Sequence, residues 1–151
     1  NYLHMVSEGR LSSDSKTQIQ RKMRQITELE SIGDSCYNLG RTMNRLRQHS
    51  KDRFTEEQLK HMHTMISLIT HTLDAMVNVV EKAPDHQYAD YNVSYNIEHE
   101  INNYRNQLKN QNLLDINDGL YGYQIGVYYM DFISECEKLG DYVMNVVQAT
   151  K

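Results

Sequence analysis

Two stretches of this sequence carry the same acidic pattern, and their paired carboxylates are the groups most suited to chemistry. Residues 26–38 and 133–145 are identical at six positions when the two stretches are aligned. In each stretch a glutamate precedes an aspartate by four residues: Glu30 with Asp34, and Glu137 with Asp141. That spacing puts both carboxylates on one face of a helix, where like charges repel. We expect each pair to be offset by a cation, by an arginine or by water.

The rest of the pattern repeats as well. A glycine precedes each aspartate, an asparagine follows it by one turn and a second glutamate lies farther upstream: Gly33, Asn38 and Glu28, then Gly140, Asn145 and Glu135. The asparagines continue the acidic rows, whereas the second glutamates point elsewhere. A mid-helix glycine costs about 1 kcal/mol relative to alanine, but it allows another backbone to approach closely. A solvated face explains any single pair, and the recurrence favours a common role beside a neighbouring helix.

Four long helices are predicted to position these pairs. One proline and seven glycines in 151 residues favour helices over a sheet. Apolar residues recur every three or four positions at about 14–49, 55–82, 86–112 and 118–149. Short turns between long helices imply antiparallel neighbours. We therefore predict a single domain over residues 1–151, with an all-α, antiparallel up-down bundle of four long helices.

Several local signals define the ends of these helices. Residues 1–8 are predicted to end a helix that stops at Gly9. Thr55 and Gln58 form a capping box for the second long helix, which Pro84 ends. Polar residues at 110–118 mark the turn before the fourth helix. Residues expected on the apolar stripes include Ile26, Leu29, Ile32, Cys36 and Leu46, then Leu59, Met65, Ile66 and Val77, and finally Leu120, Ile133, Cys136 and Val143.

Composition restricts the partner and the compartment. A net charge of −4 argues against nucleic acid, whose binding depends on clustered Lys and Arg. Cys36 and Cys136 make no disulfide framework, so a reducing, cytoplasmic location is the simple interpretation. No stretch reaches the roughly 18 apolar residues of a membrane span, and the N-terminus does not resemble a signal peptide. Because the chain begins at Asn1 rather than at a methionine, we expect it to be a fragment of a longer protein.

The two acidic stretches resemble the E/D-x-x-x-D motif of the PhoU family. Glu30-Ser-Ile-Gly-Asp34 and Glu137-Lys-Leu-Gly-Asp141 are similar to that family's Leu-Glu-Arg-Ile-Gly-Asp segment, which an asparagine follows. Family members are helical, bind multinuclear iron or zinc clusters through the motif acids, and regulate phosphate uptake. PhoU-like domains also form the cytoplasmic tails of bacterial sodium/phosphate cotransporters, and the Glu-Ser-Ile-Gly-Asp form is similar to those tails.

The resemblance implies a metal site and a partner. By carry-over the candidate metal ligands are Glu30, Asp34, Glu137 and Asp141, and a weaker match on the third helix adds Glu98, His99 and Glu100. It implies iron or zinc as the metal. It also implies a non-enzymatic regulatory role in the cytoplasmic domain of an inner-membrane protein. The partner would then be the membrane transporter domain of the same chain.

The number of helices departs from the family pattern. Family members have six helices in two three-helix bundles, whereas this sequence predicts four and an N-terminal stub. The second to fourth helices would form one complete unit, and the first would lack two partners. Those partners are absent in this branch, lie outside this fragment, or come from a second copy in a homodimer.

Three other functions remain open. The chain can be a stand-alone PhoU-type regulator, a helical adaptor that binds no ion, or a metal-dependent enzyme built on a helical bundle. The enzyme is disfavoured because a di-iron bundle uses Glu-x-x-His, and none of the seven histidines follows a glutamate by three residues. The sequence also lacks a Gly-x-Ser-x-Gly nucleophile motif and a phosphate-binding loop.

Overall fold

The computed structural model describes residues 12–82 and 90–151, which form four helices. They are α1 (Ser13–His49), α2 (Glu56–Lys82), α3 (Tyr91–Asn117) and α4 (Tyr123–Thr150). Helices account for 89% of the described residues, and no strand occurs among them. The prediction of an all-α bundle of four helices is therefore confirmed. The predicted helix end at residues 1–9 and the predicted stop at Ala83-Pro84-Asp85 lie outside the described residues.

Side-chain caps define the starts of the first two helices, and the one at the second helix was predicted from the sequence. Ser12 caps α1, because its hydroxyl accepts a hydrogen bond from the backbone N–H of Ser15 at 3.1 Å. At α2 the hydroxyl of Thr55 accepts from the N–H of Gln58 at 3.1 Å. The side chain of Gln58 accepts in return from the N–H of Thr55 at 2.9 Å. Two N–H groups without helical partners are satisfied reciprocally, as in a capping box.

The third helix ends later than the sequence predicted. Residues 110–112 were expected to begin the turn, but α3 continues through them to Asn117. Asn112 is buried, and its amide donates to the backbone carbonyl of Gly126 while its oxygen accepts from the Tyr121 hydroxyl. The polar side chain thus binds the neighbouring helix and the turn, and its own backbone stays helical.

The turn into the fourth helix is short and lies later than expected. It contains Gly119, whose φ of +76° is the left-handed conformation that glycine adopts without a steric penalty. α4 begins at Tyr123 rather than near residue 118. Leu120 belongs to this turn and is 64% exposed, so its predicted inward position is wrong.

Helix α4 is the centre of the bundle. It packs against α1, α2 and α3, and α2 also packs against α3. Within residues 12–82 and 90–151, α1 contacts no helix other than α4. Contacts of Gln25 with Thr150 and of Asn38 with Glu135 show that α1 runs antiparallel to α4. The bundle is a three-helix unit of α2, α3 and α4, with α1 laid along one side of α4.

This arrangement leaves part of the predicted apolar stripes uncovered. Ile32 and Leu46 of α1 are buried, as are most apolar residues of α4. The predicted core positions that are instead exposed are Ile26, Leu29, Cys36, Leu59, Ile66 and Val77. A helix with one neighbour buries a narrower stripe than a helix surrounded by three.

The core lies where α2, α3 and α4 meet, and α1 adds Ile32 and Leu46 to it. The fully buried side chains include Met65 and Val79 of α2, Ile101 of α3, and Ile133 and Val143 of α4. In the part of the chain that the structure describes, no helix combines the length and the apolar character needed to cross a bilayer.

Candidate functional site

The two repeated segments meet each other where α1 packs against α4. The side-chain amide of Asn145 donates to Glu28 at 3.3 Å, and that of Asn38 donates to Glu135 at 3.3 Å. The glutamate of each copy therefore accepts a hydrogen bond from the asparagine of the other copy. This exchange of roles is what a twofold relation between two identical patterns produces. We call these two contacts the reciprocal pairs.

Other polar contacts strengthen the same interface. The hydroxyl of Ser35, which is 1% exposed, donates to Glu135 at 2.8 Å. Near the end of α4, the buried amide of Gln25 donates to the hydroxyl of Thr150 at 2.8 Å. Hydrogen bonds to a carboxylate are stronger than neutral ones, and a buried polar group without a partner is costly. These contacts therefore specify how α1 is aligned along α4.

The acidic pair of α1 lies on the side of the helix turned away from α4. Glu30 is about half a turn round the helix from Glu28, which faces α4. Both Glu30 and Asp34 are exposed, and no ion pair between described residues involves them. A Cβ added to Gly33 would meet no atom of residues 12–82 or 90–151 within 4 Å. No basic side chain among the described residues pairs with Glu30 or Asp34, so of the three predicted offsets only contact with water applies here.

The acidic pair of α4 lies beside α3. The Nε of Arg105 is 3.6 Å from a carboxylate oxygen of Glu137, which is an ion pair too long for a hydrogen bond. A Cβ added to Gly140 would lie 3.4 Å from a methyl carbon of Ile101. The expected arginine and the expected close approach of a neighbouring helix are thus both present at α4, whereas the described residues provide neither at α1.

The environment of the α4 pair changes its acid–base behaviour. Partial burial raises the pKa of Glu137, although the nearby Arg105 guanidinium opposes that shift. Partial burial also raises the pKa of Asp141, and the charge of Glu98 on α3 adds to the effect. Both carboxylates are therefore less stable in the charged form than they would be in water.

A groove of about 490 Å³ runs between α1 and α4 and contains most of the charged residues of this region. Its lining carries three basic residues (Arg41, Arg45 and Lys138) and four acidic residues (Asp131, Glu135, Glu137 and Asp141). Burial raises the pKa of Asp131, and the charge of Arg45 opposes that shift. Because its α1 wall carries Arg41 and Arg45 and its α4 wall carries the four acids and Lys138, the groove is suited to contacts with polar or charged side chains of a protein.

The predicted metal ligands do not converge. Glu98, Glu137 and Asp141 lie close enough for their charges to interact, but His99 and Glu100 are exposed on α3, and Glu30 and Asp34 are exposed on α1. Across residues 12–82 and 90–151, no three or more His, Cys, Asp or Glu side chains are grouped so that they could hold a metal ion. The donors within this part of the chain do not fit a metal cluster, and iron or zinc binding stays a prediction.

The side-chain contacts that join α1 to α4 were not predicted from the sequence. Glu28 and Glu135 were expected only to point away from the acidic rows, and Asn38 and Asn145 were expected to extend those rows. Glu28 and Glu135 do point away from the acidic rows, and they accept hydrogen bonds from Asn145 and Asn38 across the α1–α4 contact. The signal was present, because all four belong to the six identical positions of the repeat. An antiparallel pairing of the two segments would have predicted the contacts.

Comparisons with known proteins leave the resemblance to the PhoU family as a prediction. No family model matches the chain, and neither the curated proteins nor the solved structures include a match to it. The geometry of the repeat therefore carries the functional argument.

Proposed function

We propose that this chain is a non-enzymatic regulatory domain of a sodium-dependent phosphate transporter and acts through protein contacts. The observation that supports the proposal is the pair of reciprocal contacts, Glu28 with Asn145 and Glu135 with Asn38. They give the repeated motif a structural role: each copy locks the other across α1 and α4. A repeat used in this way resembles the internal symmetry of PhoU-type domains.

A regulatory rather than enzymatic role is supported by the burial of Cys136 and by the openness of the charged groove. The thiol of Cys136 is completely buried, and burial raises its pKa to about 12, so it is a poor nucleophile. Cys36 is exposed, contrary to its predicted apolar position. The charged groove between α1 and α4 offers balanced acids and bases along an open surface, which suits a protein contact better than a water-excluding reaction.

The proposal assigns the chain to the cytoplasmic side of an inner-membrane protein, next to the membrane domain of the same polypeptide. Sodium-dependent uptake of radiolabelled phosphate into bacteria that express the full-length protein tests this assignment. We expect Leu29→Asp, on the exposed side of α1, to change the uptake rate at least threefold. Leu113→Asp is the matched control, because Leu113 is a similarly exposed leucine on α3.

Each outcome of this experiment separates the proposal from its main alternative. A full-length protein that produces no sodium-dependent phosphate uptake contradicts the proposal. Uptake that arises only through a separate transporter protein would favour a stand-alone PhoU-type regulator. Equal uptake by the wild type and by the Leu29→Asp variant would mean that the domain does not regulate transport through α1.

Metal binding is a separate part of the proposal. Iron or zinc would have to bind the two acidic pairs separately, because Glu30 and Asp34 lie on the side of α1 turned away from α4. Elemental analysis of the purified protein measures either metal, and we expect less bound metal when Asp34→Ala and Asp141→Ala are combined. Equal metal content in the wild type and in the double variant would remove metal from the proposed function and leave the protein contacts.

A further inference from the structure

One side of α1 exposes apolar residues that a helical bundle usually covers. Ile26, Leu29 and Tyr37 are 45%, 46% and 70% exposed, and they lie with Gly33 on the side turned away from α4. We call these four residues the outer face of α1. Three large apolar side chains within three turns of one helix form a patch, and contiguous exposed apolar patches mark interaction sites.

The internal repeat shows what normally covers such a face. The residues of α4 that correspond to the outer face are Ile133, Cys136, Gly140 and Met144. Ile133 and Cys136 are completely buried, and Met144 is 7% exposed. The same positions are thus buried on α4, which packs against α2 and α3, and exposed on α1, which contacts neither of them.

Helix α3 provides a template for the missing partner. Ile101 lies over Gly140, and Arg105, one turn later, lies beside Glu137. On α1 the corresponding positions are Gly33 and Glu30, and no other described helix covers them. A helix that crossed α1 as α3 crosses α4 would therefore place an apolar residue over Gly33 and a basic residue beside Glu30.

We propose that the outer face of α1 binds an amphipathic helix of a partner protein, one that carries Ile or Leu and, four residues later, Arg or Lys. The apolar residue covers Gly33, Ile26 and Leu29, and the basic residue pairs with Glu30. Charge complementarity favours this occupant over an acidic helix, because Glu30 and Asp34 border the face and have no basic partner among the described residues. The inference goes beyond the proposed function, since such a helix would bind whether or not phosphate is transported.

A synthetic peptide of residues 91–117 tests this inference, because it presents Ile101 and Arg105 in the required spacing. The peptide is labelled with fluorescein, and its anisotropy is measured while the 151-residue chain is added. We expect saturable binding that weakens at least tenfold with Gly33→Leu, which blocks the approach of the peptide helix. A Cβ at Gly33 meets no described atom within 4 Å, so this variant is expected to fold.

A charge exchange tests the predicted pairing itself. Glu30→Lys in the chain should weaken binding of the wild-type peptide at least tenfold, and a peptide with Arg105→Glu should recover most of the loss. Glu81→Lys is the control, because Glu81 is an exposed glutamate on α2. Circular dichroism shows whether each variant remains helical.

Three outcomes would overturn the inference. The first is no binding of the peptide, and the second is binding that is equally strong in the Gly33→Leu and Glu30→Lys variants. The third concerns a second copy of this chain. If sedimentation shows a dimer of about twice 17.8 kDa that Gly33→Leu dissociates, then the outer face is a homodimer interface.

Discussion

The two copies of the repeat have nearly the same acidic pattern but different neighbours. On α4 the pattern is surrounded by three helices, so Gly140 is covered by Ile101 and Glu137 lies beside Arg105. On α1 the same glycine and acids face away from the rest of the described chain. The comparison separates two functions within one motif. The upstream glutamate (Glu28 or Glu135) and the asparagine join α1 to α4. The glycine and the Glu–Asp pair lie on another side of the helix, where a third helix can pack.

The largest expected difference between the copies is in thiol reactivity. Cys136 of α4 is completely buried and its pKa is raised to about 12, whereas Cys36 of α1 is exposed. We expect one thiol per native chain to react quickly with a thiol reagent such as Ellman's reagent, and the second to react only when the chain unfolds. In the Cys36→Ser variant the native protein should show no rapid reaction. Rapid labelling of that variant would mean that α4 is not the covered helix.

Filling the two glycines should have opposite effects on stability. Gly140→Leu places side-chain atoms into Ile101 and Ile69, so we expect the free energy of unfolding to fall by about 1–3 kcal/mol. Gly33→Leu extends into open space and removes a helical glycine, so we expect a gain of up to about 1 kcal/mol. Urea denaturation followed by circular dichroism measures both. Similar losses in the two variants would show that the environments of the glycines do not differ.

The two reciprocal pairs should contribute unequally to the free energy of unfolding, because Glu135 also accepts a hydrogen bond from the buried hydroxyl of Ser35. Glu135→Ala leaves Ser35 and Asn38 without their acceptor, and we expect a loss of about 1–3 kcal/mol. Glu28→Ala removes one contact, with Asn145, and we expect about 0.5–1.5 kcal/mol. Double-mutant cycles by urea denaturation should show coupling of Glu28 with Asn145. Coupling of Glu28 with Asn38 instead would contradict the observed pairing.

The smallest expected effect concerns the two aspartates. The pKa of Asp141 is raised in the native state, so the native protein binds more protons than the unfolded chain at pH values between the unfolded and the native pKa. The free energy of unfolding should therefore decrease between the unfolded and native pKa values and then stay constant. In its charged form the carboxylate is partly desolvated and lies near the charge of Glu98. We expect Asp141→Asn to increase the free energy of unfolding by a few tenths of a kcal/mol, because solvent screens a side chain that is still exposed.

Asp34 on α1 is the matched control for this prediction. It is exposed and forms no ion pair with a described residue, so Asp34→Asn should change the stability very little. Thermal or urea unfolding at several pH values between 3 and 8 compares the two variants. A larger effect at Asp34 than at Asp141 would reverse the assignment of the covered and uncovered copies.

Much of the architecture could be predicted from local patterns. Apolar spacing of three and four residues predicted four helices, and the Thr55–Gln58 capping box predicted the start of α2. The predicted end of α3 was wrong. Asn112 is typical of turns in sequence, but its side-chain amide is hydrogen-bonded to the carbonyl of Gly126 and the hydroxyl of Tyr121. A tertiary hydrogen bond there overrides the local preference of asparagine for turns.

The sequence by itself determined the helices, the repeat and the placement of each acidic pair on one helical face. Those properties follow from backbone periodicity, which depends only on residues a few positions apart. Only the tertiary structure decided that α4 is central, that Glu28 and Glu135 bind the opposite asparagines, and that Gly33 is open while Gly140 is covered. Two identical segments have the same local preferences, so only the helices packed around them can make their environments differ.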